Sequence, residues 1–265
     1  MGTIYLEARS QSLGRNARGF TEWQSHTDEL QIPAQRTALV ICDMWDRNWS
    51  RAANARVAEL APRVDAFARE LRQAGSTIIH APSETMDFYA DHPARSRALG
   101  VPARPLPPLG EHDDPPLPID HSDGGSDSND GSEPVHTRTW SRQTEAIEID
   151  PEGDYISDSG DEIYAIMGAG KIDYLLLCGV HTNMCILNRS FGIRNLVPRG
   201  VSMMLLRELT DALYNPAMPP YVSHEEGTAL VVGYIEKFWC PTAANVRVSA
   251  GERPLRAGAE PSNRA

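Results

Sequence analysis

Two short segments combine the residue types that nucleophilic catalysis uses. Cys42-Asp-Met-Trp-Asp46 directly follows one apolar run, and Cys178-Gly-Val-His-Thr-Asn-Met-Cys185 lies where another apolar run gives way to a helix-forming stretch. A thiol in the first turn of a helix meets unpaired backbone amides, which lower its pKa and can stabilise an oxyanion. We therefore expect Cys185 to attack a carbonyl carbon and Asp43 to orient or deprotonate the thiol.

The same residues also fit a purely structural role. Cys185 could be a buried helix cysteine and Asp43 could cap a helix, and their spacing alone does not distinguish these roles from catalysis. The chain has four cysteines, far apart and without a Cys-x-x-Cys pair: Cys42, Cys178, Cys185 and Cys240. This pattern indicates reduced, intracellular thiols rather than disulfides or a zinc site.

Strand and helix patterns alternate along the chain and would bring the two segments to one edge of a sheet. Short apolar runs predict strands at Thr37–Cys42, Thr77–His80, Glu145–Ile149, Tyr174–Val180 and Val201–Leu206. Helical spacing of apolar residues predicts helices at Val57–Leu71, Ser159–Met167, Asn183–Leu196 and His224–Phe238. We therefore expect a doubly wound, mainly parallel β-sheet with helices on both faces, in which ligands bind beyond the carboxyl ends of the strands.

One α/β domain accounts for most of the chain. We expect an N-terminal arm at residues 1–36, a single domain at 37–248 and a flexible C-terminal tail at 249–265. A Pro- and Asp-rich insertion at about residues 93–135 interrupts the domain, and we expect no core element within it. Its acidic residues lack the ordered calcium-loop pattern, so a lid, a metal site and a disordered loop all remain open.

Bulk composition disfavours several classes of partner. Of the 265 residues, 41% are hydrophobic and 23% are charged, a balance that supports a large core. A formal net charge of -11 disfavours nucleic acid as a partner. The polar N-terminus lacks the apolar segment of a signal peptide, and no apolar run approaches the roughly 20 residues that span a bilayer. These features predict a cytoplasmic protein without a membrane partner.

The two segments, together with Leu209-Thr-Asp-Ala212, resemble the isochorismatase-like cysteine hydrolases. That family includes nicotinamidases, N-carbamoylsarcosine amidohydrolases, and ureidoacrylate and biuret hydrolases. The resemblance covers about Ala38 to Phe238 apart from the insertion. It implies a three-layer α/β/α fold, a homodimer or homotetramer, no organic cofactor, and an Asp–Lys–Cys triad that works through a thioester.

Residues of the family motif carry over individually. Asp43 matches the base and Cys185 the nucleophile. The resemblance also implies a non-proline cis peptide between Val180 and His181, which would aim the amides of His181 and Cys185 at one oxyanion. Thr182, in the same turn, is expected beside the substrate.

The family lysine has no counterpart at its expected place. The chain contains only Lys171 and Lys237, and neither follows the third predicted strand. The aligned stretch offers three acids instead, Asp150, Glu152 and Asp154, of which we take Glu152 as the catalytic candidate. The alternatives are a positive charge from an arginine such as Arg138 or Arg142, or a site without activity.

Three further side chains are candidates for substrate contact. Trp45 follows Asp43, and Trp140 precedes the acidic stretch, so the two rings could wall a small pocket, although core or interface packing explains them equally well. His80 ends the second predicted strand at the same rim. It lacks the Asp-x-His spacing of the nicotinamidase metal site, so we expect no metal there.

These observations predict a cysteine amidohydrolase that cleaves a C–N bond, other than a peptide bond, in a small carboxamide, carbamoyl or ureido compound. A catalytically inactive small-molecule-binding or regulatory homologue is the first alternative. Hydrolysis of an isochorismate-type ether is the second, and Cys185 argues against it because that reaction does not need a thiol. A metal-dependent amidase that uses the acidic insertion is the third. Substrate identity stays open.

Overall fold

Strands from both ends of the chain join one sheet. The computed structural model describes residues 2–128 and 138–249, and within these ranges the sheet has eight strands in the order β2-β1-β8-β7-β6-β3-β4-β5. Their bounds are Thr3–Arg15, Thr21–Pro33, Thr37–Cys42, Thr77–Ala81, Tyr155–Ile156, Tyr174–Val180, Met203–Asp211 and Thr242–Ser249 for β1 to β8. Strands β3 to β8 run parallel, and β1 pairs antiparallel with both β2 and β8. The predicted mainly parallel sheet is therefore confirmed.

Helices cover both faces of this sheet in the described part of the chain. Their bounds are Arg51–Ala74, Pro93–Leu99, Gly160–Ala169, Cys185–Asn188, Ile193–Leu196 and His224–Phe238 for α1 to α6, with 3-10 turns at Ala34–Arg36, Met86–Tyr89 and Val197–Arg199. Because strand side chains alternate, Val40 and Cys42 of β3 pack with α3 and α6, whereas Leu39 and Ile41 pack with α1. This arrangement gives three layers and brings the carboxyl ends of β3, β4 and β6 together.

The strand predicted at Glu145–Ile149 is wrong. This segment lies against the C-terminal half of α1 instead, where the Glu148 amide donates to Asp65 at 2.8 Å and Ile147 is buried. The place beside β4 belongs to the two-residue strand Tyr155–Ile156. Alternation of Ile147 and Ile149 imitates a strand, but such alternation only requires that one face of the segment be buried.

Two other expectations need correction. The insertion contributes a core element at its N-terminal end, because helix α2 begins at Pro93 and buries Ala94 and Ala98. The continuous helix expected at Asn183–Leu196 is two short helices, interrupted where Arg189 adopts an extended backbone. Residues 129–137 of the insertion lie outside the described part of the chain.

The arm at residues 1–36 forms a long β-hairpin that extends the sheet. Thr3–Arg15 pairs with Thr21–Pro33 along its whole length, and its inner half also pairs with β8. Strand β8 itself occupies residues that the sequence left without an element, and residues 250–265 of the predicted tail lie outside the described residues. In the part of the chain that the structure describes, no helix is long and apolar enough to cross a membrane.

Candidate active site

Asp43 lies directly after β3 in the centre of the sheet edge. Its side chain is fully buried and its backbone is left-handed, with φ of 47°. One carboxylate oxygen accepts the Ser83 amide at 2.7 Å, and the other accepts Nε of Arg189 at 2.8 Å. Helix α1 is capped by Ser50 and not by Asp43, so the structural role considered for this aspartate does not apply.

Cys185 is the first residue of α4 and faces Asp43. Its thiol lies close enough to the Asp43 carboxylate and to the backbone amide of His181 for both to shift the thiol's pKa. Burial, followed by the negative charge of Asp43, raises the pKa of the Cys185 thiol well above its usual range. The expectation that the helix start lowers this pKa is therefore wrong, because burial and a neighbouring carboxylate outweigh it. The resting nucleophile is therefore a neutral thiol beside a carboxylate.

Asp43 is a carboxylate held ready to accept a proton. Burial raises its pKa, although Arg189, Cys185 and Ser83 all act in the opposite direction. A buried carboxylate with a raised pKa and a thiol donor in contact has the properties of a general base. Asp43 is therefore the candidate acceptor for the Cys185 proton.

The cation of this site is Arg189, which the sequence reasoning missed. Its amide donates to the Cys185 carbonyl at 3.0 Å, one helical turn along the chain, and its Nε binds Asp43. Burial opposes its charge, but Asp43 and Cys185 raise the pKa of the guanidinium above its ordinary value. Two features of the sequence pointed to Arg189. No lysine lies at the place that the resemblance implies, and Arg189 follows Cys185 by four residues, a spacing that puts two side chains on the same face of a helix.

Arg189 also binds an acid at the rim of the site. Its Nη1 lies 3.0 Å from Oε1 of Glu84, whose side chain is 48% exposed. Glu84 follows β4 and, like Asp43, has a left-handed backbone, with φ of 66°. Two residues at the ends of neighbouring strands therefore hold the same guanidinium.

The turn between β6 and α4 is tightly fixed. The Val180–His181 peptide bond is cis, and Val180 is buried with its carbonyl accepting the Cys42 thiol at 3.6 Å. Thr182 is fully buried, and its hydroxyl lies 2.8 Å from that of Thr210. These contacts hold the backbone amides beside Cys185 in place.

The His181 ring lies in the protein interior. Its Nε2 is 3.2 Å from the Asn48 amide nitrogen, while its Nδ1 is buried without a partner among the described residues. Burial lowers the pKa of His181 to about 4, so the ring is neutral near pH 7. Any contact between this ring and a substrate would therefore be a neutral hydrogen bond.

Trp45 and Trp140 form one stacked pair beside the site. Their ring centroids are 4.0 Å apart with planes 11° from parallel. Nε1 of Trp45 donates to the Ser83 carbonyl at 3.2 Å, and the Arg189 guanidinium carbon lies 5.7 Å from the Trp45 ring centroid. The indole nitrogen of Trp140 is buried without a partner among the described residues. Trp45 thus connects Arg189 to Trp140.

Two sequence candidates lie in other surroundings. His80 is fully buried, 3.0 Å from Gln143 through one ring nitrogen and 3.0 Å from Asp154 through the other. Glu152 is exposed in the turn before β5, where its amide donates to Asp150. Neither residue is hydrogen-bonded to Asp43, Cys185 or Arg189 within the described chain. Within it, no group of three or more His, Cys, Asp or Glu residues is placed to hold a metal ion.

Comparisons with known proteins give likenesses of structure. No protein-family model matches the chain, and no curated protein matches it. The chain is similar to the crystal structure of a cysteine hydrolase from Pseudomonas syringae pv. phaseolicola 1448A, with 17% identity, a TM-score of 0.46, and coverage of 77% of this chain and 86% of the other.

Two further solved structures show weaker likeness. An isochorismatase family protein from Desulfovibrio vulgaris subsp. vulgaris str. Hildenborough has 12% identity, a TM-score of 0.40, and coverage of 76% of this chain and 89% of the other. An isochorismatase family protein from Burkholderia thailandensis has 12% identity, a TM-score of 0.37, and coverage of 66% and 79%.

Proposed function

We propose that this chain is a cysteine hydrolase that cleaves a C–N bond in a small carboxamide, carbamoyl or ureido compound. The observation that supports this best is the grouping of three side chains: the Cys185 thiol lies beside Asp43, and Asp43 accepts Nε of Arg189 at 2.8 Å. Nucleophile, base and cation form one connected unit at the carboxyl edge of a parallel sheet, where ligands of such sheets bind. Arg189 takes the place of the family lysine.

In the first half of the reaction, Asp43 takes the thiol proton as Cys185 sulfur attacks the carbonyl carbon. Arg189 stays paired with Asp43 and offsets the charge of the developing thiolate. The amides of His181 and Cys185 stabilise the oxyanion, as backbone donors do in acyl transfer. When the tetrahedral intermediate collapses, the C–N bond breaks and the proton on Asp43 passes to the leaving amine.

In the second half, water attacks the thioester carbon. Asp43 accepts a proton from the water, and collapse of the second tetrahedral intermediate breaks the C–S bond. The Cys185 thiolate then recovers a proton from Asp43. Because both halves use the same base, a single buried carboxylate with a raised pKa is enough for the cycle.

The first experiment measures ammonia release from a panel of small amides and ureas with the wild type, Cys185→Ala and the matched control Cys240→Ala. Cys240 is a buried cysteine after α6, so its loss tests for unspecific damage. We expect Cys185→Ala to abolish release and Cys240→Ala to retain it. Hydroxylamine should trap the acyl group of a thioester formed by the wild type.

Other outcomes would separate the alternatives. Release that survives in Cys185→Ala would contradict the nucleophile assignment. A wild type that releases no ammonia, and whose Cys185 alkylates no faster than the three buried cysteines, would favour an inactive binding homologue. Loss of release on addition of a chelator would favour the metal-dependent amidase.

A further inference from the structure

Arg189 carries two carboxylate partners. Its Nε lies 2.8 Å from Asp43 and its Nη1 lies 3.0 Å from Glu84, so two of the three guanidinium nitrogens already bind acids. Arginine is the residue best suited to bind a carboxylate, because two parallel N–H groups can meet its two oxygens. A substrate carboxylate that approached Arg189 would have to compete with Asp43 and Glu84 for those groups.

The backbone holds both acids in place at some cost. Asp43 and Glu84 each have a positive φ, of 47° and 66°, a conformation that side chains other than glycine rarely adopt. The Glu84 amide donates to Asp158 at 2.9 Å, which anchors the residue beside β4. Arg189 therefore forms ion pairs with two acids, one at the end of each of two adjacent strands.

Charges around the nucleophile therefore sum to a negative value. Asp43 and Glu84 face one guanidinium, that of Arg189, and the neighbouring His181 is neutral near pH 7. The whole chain also carries a formal net charge of -11. Such a field attracts cations, tolerates neutral molecules and repels anions as they approach the sulfur.

We propose that Glu84 is a specificity-determining residue that excludes carboxylate-bearing substrates, so that the site accepts neutral or cationic amides and ureas. This inference rests on the proposed function, with Cys185 as the reacting group. Asp43 is fully buried and serves as the base, whereas Glu84 stands half-exposed at the rim. Glu84 can thus set selectivity without taking part in proton transfer.

The test uses two alkylating probes that differ in charge, neutral iodoacetamide and anionic iodoacetate. The rate of each at Cys185 is followed by peptide mass spectrometry, and their ratio is divided by the ratio for a neutral free thiol, N-acetylcysteine amide. Because both probes react with the same thiolate, the ratio is insensitive to its population. The variants are Glu84→Gln, Glu84→Asp and the control Glu59→Gln, which removes an exposed acid from α1.

We expect iodoacetate to be disfavoured about tenfold at Cys185 of the wild type. Glu84→Gln should remove most of this preference, while Glu84→Asp and Glu59→Gln should keep the wild-type ratio within about twofold. High salt should weaken the effect, because ions screen charges at the rim. A wild-type ratio equal to that of the free thiol, or one that Glu84→Gln leaves unchanged, would overturn the proposal.

A second assay separates this proposal from the proposed function. The wild type and Glu84→Gln are compared on butyramide, 4-aminobutyramide and succinamate, which are neutral, cationic and anionic. We expect succinamate to have the lowest kcat/KM and to gain about tenfold in Glu84→Gln. If the probes show the charge preference but Cys185 proves dispensable for hydrolysis, the proposed reaction fails and the selectivity stands. If hydrolysis depends on Cys185 but kcat/KM does not depend on the charge of the substrate, the proposed reaction stands and the proposed selectivity fails.

Discussion

Two buried aspartates in the described part of the chain are each paired with an arginine, and the two pairs behave in opposite ways. Asp43 is fully buried and binds Arg189, and Asp154 is 1% exposed and binds Arg72. Burial raises the pKa of Asp43, whereas the pKa of Asp154 falls to about 2. One site keeps a proton acceptor ready to react, and the other holds a permanent anion.

The difference lies in the donors around each carboxylate. Asp154 receives two nitrogens of Arg72, at 2.9 and 2.6 Å, and lies 3.0 Å from His80. The Asp150 amide adds a further hydrogen bond at 2.8 Å. These donors overcome a desolvation that by itself would raise the pKa.

Asp43 has a different set of donors. It meets a single guanidinium nitrogen, one backbone amide and a neutral thiol. Desolvation therefore dominates. A buried aspartate–arginine pair is therefore not by itself a sign of catalysis. What distinguishes Asp43 is that desolvation outweighs its hydrogen-bond donors and raises its pKa.

The largest expected effect comes from exchanging each aspartate for asparagine. Asp43→Asn should lower kcat by about 10²–10⁴-fold, because it removes the base, and should cost the free energy of unfolding only about 1 kcal/mol. Asp154→Asn should cost about 3 kcal/mol, since it leaves Arg72 and His80 without their carboxylate. Steady-state kinetics and urea denaturation of both variants measure the two quantities.

Two outcomes would contradict this difference between the two aspartates. A stability loss in Asp43→Asn as large as that in Asp154→Asn would mean that Asp43 is chiefly structural. A kcat loss in folded Asp154→Asn as large as that in Asp43→Asn would make Asp154 part of the site. Activities are compared per folded molecule, at a temperature where circular dichroism shows both variants folded.

An intermediate effect is expected for the cation. Arg189→Ala should lower kcat/KM by about 100-fold, because the charge beside the thiolate is lost. Arg189→Lys should restore activity to within about tenfold of the wild type, since lysine also places a positive charge beside Asp43 and Cys185. If Arg189→Lys and Arg189→Ala are equally impaired, the guanidinium acts by binding Asp43 and Glu84 at the same time, and its charge alone is not sufficient.

The smallest effect is a pair of opposite pH dependences. Asp154 has a lowered pKa in the folded state, so it contributes about 2 kcal/mol above pH 4, and this contribution is lost as pH falls toward 2. Asp43 has a raised pKa, so its contribution is greatest at low pH and declines as pH rises above its ordinary value of 3.8.

Urea denaturation between pH 3 and 6 measures both. Relative to the wild type, Asp154→Asn should lose most stability at the upper end of this range, and Asp43→Asn should lose most at the lower end. Slopes of the same sign for the two variants would show that the carboxylates do not differ as described.

Much of the fold follows from local pattern. Continuous apolar runs mark β3, β4 and β6 because strands buried on both faces tolerate few polar residues. Helix α6 is predicted to the residue, since its capping box at Ser223 and Glu226 and its apolar stripe are both local. The hairpin was not predicted from the sequence, although Ile4, Leu6 and Ala8 alternate with polar residues. The alternation is short, because the remaining residues of β1 after Ala8 are not buried.

The sequence by itself indicated that an aspartate and a cysteine follow two strands of one mainly parallel sheet, and that neither of its two lysines follows the third predicted strand. Only the tertiary structure decided which cation lies beside Asp43, because Arg189 and Asp43 are 146 residues apart and no local pattern records their contact. The tertiary structure also places His80 in a separate hydrogen-bond network with Asp154. The sequence had suggested substrate contact for His80, because the residue lies at the end of a strand. Burial and donor geometry set the reactivity of each carboxylate, and both arise only when distant segments pack together.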